Sequence, residues 1–227
     1  MPARPRIVEQ IERASAEGIA RLGLMGVATV HEAYSRTGLM HGIRPIAEGI
    51  AVSGSAVTCL NFAGDNLMIH AALDVAQPGD ILVVSVTSPS SHGMFGDLLA
   101  TSCQAKGVRG LVTDAGVRDV ATLREMGFAV WSRHISASGA VKSQPGWVNI
   151  PVSCGGQVVY PGDTIVADDD GVVVVERADV DSVAALAEER HAREEASRIR
   201  LATGVSTLDK GGRRELLDPY MERGVRK

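Results

Sequence analysis

Lysine is nearly missing from this chain of 227 residues, whose positive charge rests on arginine; the lysines are Lys106, Lys142, Lys210 and Lys227. An enzyme that traps a carbonyl as a Schiff base needs a desolvated lysine of lowered pKa. Lys106 ends an expected helix, Lys210 sits in a Gly/Arg-rich tail and Lys227 is terminal, so Lys142 is the one candidate for such chemistry. Cysteine is scarce too: Cys59, Cys103 and Cys154 are odd in number and far apart, which excludes a disulfide framework and fits reduced thiols. No stretch approaches the roughly 20 apolar residues that span a bilayer, and Glu9, Glu12 and Arg13 break any apolar leader near the start. A soluble, cytoplasmic protein with no membrane partner is expected. Basic charge is in deficit, with a formal net charge of −4, so no nucleic-acid partner is implied. The six histidines, His31, His41, His70, His92, His134 and His191, show no close pairing and no C-x-x-C occurs, which disfavours zinc. Each histidine is expected to be structural.

What is present is a chain with 45% hydrophobic residues, long enough for one substantial core plus an appendage. Ile7, Ile11, Ile19 and Leu22 fall near helical spacing and predict one or two amphipathic helices over 7–23. Residues 50–60 read as a strand, 67–76 as a helix and 81–86 as an apolar run suited to a strand buried on both faces. A Ser/Pro/Gly-rich loop over 87–96 feeds a helix over 97–106. A strand over 110–113 leads through Asp114-Ala-Gly-Val to Arg118-Asp119, then a helix and a strand over 129–132. This β-α-β-α-β run predicts largely parallel strands. After Pro145, short strands over 147–152, 157–160, 164–167 and 172–176 predict a β-rich second layer, with Asp168-Asp-Asp-Gly171 as a hairpin turn rather than a calcium loop. A long helix over 179–202, apolar early and charged late, is expected to reach a neighbouring subunit. The division expected is one α/β catalytic domain over 1–177 and a helical extension over 178–227.

Two junctions carry chemistry. Gly96-Asp97-Leu98-Leu99 opens a helix, whose first peptide N–H groups lack intrahelical partners and favour an anion. Arg118-Asp119 follows the next strand, where open α/β sheets present functional groups. Helix-start decoration accounts for either pair taken alone; together they combine an anion-ready terminus, a carboxylate for a hard cation and a fixed positive charge.

Gly96-Asp97 with the Asp-x20-Arg-Asp spacing to Arg118-Asp119 resembles the signature of the 4-hydroxy-4-methyl-2-oxoglutarate/4-carboxy-4-hydroxy-2-oxoadipate aldolases. The likeness extends over most of the chain through Ala28-Thr-Val-His-Glu32, Gly96-Asp-Leu-Leu-Ala-Thr-Ser102, Gly107-Val-Arg-Gly-Leu111, Asp114-Ala-Gly-Val-Arg-Asp119 and Val166-Ala-Asp-Asp-Asp-Gly171. The resemblance implies an α/β/β/α sandwich, a homotrimer or homohexamer, and retro-aldol release of pyruvate with oxaloacetate decarboxylation beside it. It makes Asp119 the direct ligand of Mg²⁺ or Mn²⁺, with Asp97 acting through water. Arg118 contacts the pyruvyl oxygens, the amides around Gly96, Asp97, Leu98 and Leu99 hold the substrate carboxylate, and Lys142 lies near the distal carboxylate. The family's threonine before that lysine is Ala140 here, which puts the distal group in question. Glu194, or its neighbour Glu195, is implied to reach an adjacent subunit's site. Regulator-of-ribonuclease-activity proteins resemble the same central segments, so a non-catalytic binding protein stands as the rival, with a dedicated oxaloacetate decarboxylase as a third reading.

Overall fold

A computed structural model describes residues 4–209 and 212–221; Lys210 and Lys227 lie outside them. The chain forms two compact units, residues 1–188 and 189–227.

The first unit is built on one sheet whose central strands, β3 (Val52–Asn61), β4 (Ile81–Val86), β6 (Gly110–Val117) and β7 (Ala129–Ile135), run parallel. Parallel order follows from the crossover helices α3 (Leu67–Val75), α4 (Asp97–Ala105) and α5 (Val120–Glu125) that return the chain between them. At the edges, β2 (Arg44–Pro45) lies antiparallel to β7, and β8 (Trp147–Val148) pairs with β3 and with β1 (Arg6–Ile7).

Side-chain alternation then sets the layers. Leu82 and Val84 pack with Met68, Ile69, Leu99, Leu111 and Leu123 beneath the helices. Their neighbours Ile81 and Val83 face the other way, onto Trp131, Ile165, Val172 and Val174. The last three belong to a second β layer formed by β11 (Thr164–Asp168) and β12 (Gly171–Val175), with the hairpin of β9 (Val152–Cys154) and β10 (Gln157–Val159) beside it. Val173 and Val175 of β12 point outward again, against Ile19, Leu22, Val27, Val30, Val180 and Val183 from α1 (Ala16–Met25), α2 (Val27–Ala33) and the first turns of α6 (Val180–Ala202). The result is an α/β/β/α sandwich with a partly parallel central sheet and a long C-terminal helix. Asp168 closes the β11–β12 hairpin opposite Gly171, and its carboxylate accepts from Val27 N and Asp170 N at 2.8 and 2.9 Å. That carboxylate holds the turn and starts α2.

Three expectations need correction. Residues 7–15 are not helical: Ile7 pairs with Val148, and α1 begins only where Ser15 Oγ accepts from Gly18 N at 3.0 Å. The strand expected over 147–152 is broken, because Asn149 adopts a left-handed φ of 55° and Pro151 follows. The loop over 87–96 contains β5 (Gly93–Phe95), which pairs with Gly116 and Val117 and so carries β6 to Val117 rather than Thr113. Met94 and Phe95 are buried, the physical reason this stretch is ordered against the sheet.

The second unit holds the later turns of α6 and α7 (Arg213–Leu217). Its helix surface carries ion pairs such as Arg190–Glu194 at 2.8 Å and Arg198–Glu195 at 3.1 Å. Exposed pairs of this kind contribute about 0.2–1 kcal/mol each.

Candidate active site

The site forms where β5 and β6 end. Gly96 is the N-cap of α4 in extended backbone (φ −153°), and Asp97 occupies its first turn. The Asp97 carboxylate accepts from Leu98 N at 2.8 Å, while the remaining first-turn amides have no intrahelical partner and carry the positive end of the helix dipole. Arg118 is held by its own backbone, N–H to Phe95 O at 2.9 Å, one residue beyond β6. Asp119 follows in the left-handed region (φ 56°, ψ 35°) as the N-cap of α5, yet its side chain makes no capping hydrogen bond. Its Oδ2 instead lies 3.3 Å from Arg118 Nε.

Glycines make this packing possible. A Cβ at Gly96 would collide with Asp119 Oδ2 and press Arg118 Cγ at 3.1 Å, one at Gly93 would stand 3.0 Å from Arg118 Cβ, and one at Gly139 3.6 Å from Nη1. The Arg118 side chain is thus flanked by backbone from three segments.

A cavity of about 100 Å³ opens here, lined by Gly96, Asp97, Leu98, Leu99, Arg118 and Lys142 together with Asn66, His70, Gly93, Met94 and Ala140. Asp119 does not line it but contacts Arg118, which does, and Glu194 belongs to the second unit. Lys142 is placed by Asp65: the buried carboxylate accepts from Ser143 N, Ser143 Oγ and Gln144 N at 2.7, 3.0 and 2.9 Å, and from Leu67 N at 2.9 Å. Burial pushes that carboxyl up, but the amides of Leu67, Ser143 and Gln144 together hold it below its ordinary value. Asn66 Nδ2 donates to Met94 O at 2.7 Å and so ties α3 to β5. Burial, then the charge of Lys142, lowers the pKa of His70.

Asn66, His70, Gly93 and Met94 were not singled out as site residues from the sequence. Asn66 follows a Gly-Asp turn and His70 stands four residues later on the same helical face, a spacing that signals proximity only once α3 is known to border the cavity. The other lysine in the described residues, Lys106, donates to Leu73 O at 2.9 Å and closes the end of α3. All three cysteines are buried free thiols; burial drives Cys59 and Cys103 up to about 12.

The Aldolase/RraA family model matches residues 27–174. The chain belongs to this RraA-like family. A relative from Halalkalibacterium halodurans, provisionally named 4-hydroxy-4-methyl-2-oxoglutarate aldolase, is 31% identical over 172 residues, 76% of this chain and 82% of its own. Among solved structures, Streptomyces coelicolor RraAS2, described as an unusual member of the RNase ES inhibitor RraA protein family, superposes with a TM-score of 0.76 at 31% identity, covering 83% of this chain and 99% of that one. The RNA-processing inhibitor RraA from Thermus thermophilus shares the fold at a TM-score of 0.59 and 23% identity, over 65% and 90% of the two chains. Aldolase and inhibitor names therefore both occur among the relatives of this RraA-like chain, and only the residues of the site can separate the two.

Those residues can be tested against a metal. Among the described residues no three His, Cys, Asp or Glu side chains converge to cage an ion. Two carboxylates are nevertheless at hand. Asp97 is partly exposed, and the side chain of Asp119 is 36% exposed with no cap to satisfy. This oxygen-only, low-count donor set fits a hard cation that keeps most of its own water, and it does not fit zinc.

Proposed function

We propose that this RraA-like protein is a divalent-metal-dependent aldolase that cleaves 4-hydroxy-4-methyl-2-oxoglutarate, 4-carboxy-4-hydroxy-2-oxoadipate or both, releasing pyruvate and a second keto acid. The observation that carries this reading is the placement of Arg118, flanked by three glycines, in one cavity with the amide-rich start of α4 and with Lys142. Asp119 would hold Mg²⁺ or Mn²⁺ directly and Asp97 through water, and the ion would supply Lewis-acid polarisation of the keto oxygen.

The chain's own groups do the rest. The first-turn amides of α4 bind the substrate carboxylate. Arg118 orients the C2 keto oxygen and stabilises the negative charge that collects there as the C3–C4 bond breaks, the kind of preorganised electrostatics that removing one donor costs about 10²–10³ in kcat. Water ordered by Asp97 returns a proton to C3. Lys142 meets the distal carboxylate, where Ala140 in place of the family's threonine removes a hydroxyl and shifts preference among C4 substituents. Oxaloacetate decarboxylation passes through the same enolate and accompanies the cleavage. The functional form is a homotrimer or homohexamer, in which Glu194 from α6 reaches a neighbouring subunit's site.

The test is pyruvate release from 4-hydroxy-4-methyl-2-oxoglutarate by metal-stripped protein, with Mg²⁺ added back and Arg118→Ala alongside. The expected result is release that requires metal and falls at least about 10²-fold in the variant. The match to RraAS2 along almost its whole length favours one rival, a non-catalytic binding protein. No release with any metal, and none from oxaloacetate, would establish that rival instead.

A further inference from the structure

Next to the Arg118 cavity lies a larger one of about 300 Å³, and three residues, His70, Leu98 and Leu99, line both. A 4-hydroxy-2-oxo acid has two halves joined by the C3–C4 bond that cleavage breaks. With its pyruvyl half on Arg118 and the first turn of α4 and its distal carboxylate at Lys142, a second C4 substituent extends over Leu98 and Leu99 toward the larger cavity. The C4 hydroxyl then lies where the two cavities meet. Of the three shared residues, only His70 carries a group that titrates near neutral pH. It is exposed, and no hydrogen bond to the described residues occupies its ring nitrogens.

Resting on the aldolase reading, we propose that His70 is the general base that removes the proton from the substrate's C4 hydroxyl. An imidazole nitrogen forms the new N–H bond, and the O–H electron pair becomes the second bond of the C4 carbonyl. The C3–C4 bond breaks, and its pair passes into the enolate whose oxygen faces Arg118. C3 takes a proton from water on the Asp97 side, and His70 releases its own to solvent at the cavity mouth, so the protons balance. The charged groups around His70 suit this role. Lys142, in the segment after β7, disfavours a second positive charge there. Asp97 is engaged by Leu98 N, and Asp74, one turn along α3 from His70, is paired with Lys106 at 3.4 Å. Burial and the charge of Lys142 lower its pKa, which favours the neutral imidazole that a base requires.

Oxaloacetate separates this role from a structural one, because it loses CO₂ without any hydroxyl to deprotonate. In His70→Asn, assayed with Mg²⁺ on both substrates from pH 5 to 9, cleavage of 4-hydroxy-4-methyl-2-oxoglutarate is expected to drop about 10²–10⁴-fold. The ratio of cleavage to decarboxylation drops by about tenfold or more, and the acid limb of the cleavage profile disappears. A parallel loss of both activities, a surviving acid limb, or undiminished cleavage overturns the assignment to His70 while the aldolase stands. Wild-type protein inert on both substrates removes the aldolase reading itself and the assignment with it. An imidazole NMR titration of the metal-free protein gives a readout apart from turnover. The signal lost in His70→Asn should titrate below about 6.5 and move up in Lys142→Gln, and a midpoint at or above that value would contradict the proposal.

Discussion

Arg118 owes its position to what its neighbours lack. Gly96 has ordinary extended backbone, so its requirement is steric: the space a Cβ would occupy is filled by Asp119 Oδ2 and Arg118 Cγ. Gly96→Ala is therefore expected to displace the Arg118–Asp119 pair with little strain in the backbone of α4. A misplacement on the order of 1 Å costs about 10²-fold in rate, so kcat/KM should fall by about that factor. The melting temperature, read by differential scanning fluorimetry, should move by only a few degrees, and a variant that unfolds before losing activity would contradict this account. Asp119 shows the complementary device. Its left-handed backbone is tolerated by aspartate better than by most residues, and it turns the carboxylate away from capping α5 toward Arg118. Neither feature is legible in the sequence, which marks Arg118-Asp119 as a functional pair after a strand but carries no sign of the glycine packing or of the left-handed turn.

At the scale of elements, the site depends on a loop tied to a helix start. Asp65 Oδ2 gathers Ser143 and Gln144 while Oδ1 takes Leu67 N, so one carboxylate joins the start of α3 to the segment bearing Lys142. An amide has one acceptor oxygen and would turn its NH₂ against amides on the other side. Asp65→Asn should cost about 2 kcal/mol or more, since a buried donor left without an acceptor costs about 1–3 kcal/mol. It should also raise KM more than it lowers kcat, measured by steady-state pyruvate release; unchanged KM would mean that the loop is held by other means. The folded Asp65 carboxyl sits below its ordinary value, so its contribution is complete above about pH 4 and fades as pH falls through the folded value, a dependence Asp65→Asn should lose. The same scale explains where sequence pattern misled. Residues 93–95 sit in a Ser/Pro/Gly-rich stretch that reads as loop, but burial of Met94 and Phe95 and pairing with β6 make them a strand.

Across the whole molecule, a half-buried carboxyl opposes the layers around it. Asp114, midway along β6, has an Oδ1 with no partner among the described residues, and burial, partly offset by Arg133, raises its carboxyl to about 6. The native protein thus holds this proton to higher pH than the unfolded chain does, so stability falls as pH rises from about 4 to about 6 and is level above that. Asp114→Asn should remove this part of the slope. The difference in melting temperature between variant and wild type should shift in the variant's favour between pH 4 and pH 7, and a constant difference would show that Asp114 does not titrate as assigned. By itself, the sequence determined the strand and helix order from 50 to 135 apart from β5, the hairpin at Asp168–Gly171, the long α6 and the Asp97/Arg118/Asp119 spacing, because period and turn chemistry are local properties of the chain. Only the tertiary structure decided that β5 joins the sheet, that Ile7 pairs rather than coils, and that Asn66 and His70 of α3 share a cavity with Arg118. Those outcomes depend on which distant surfaces meet and bury one another, which no local pattern encodes.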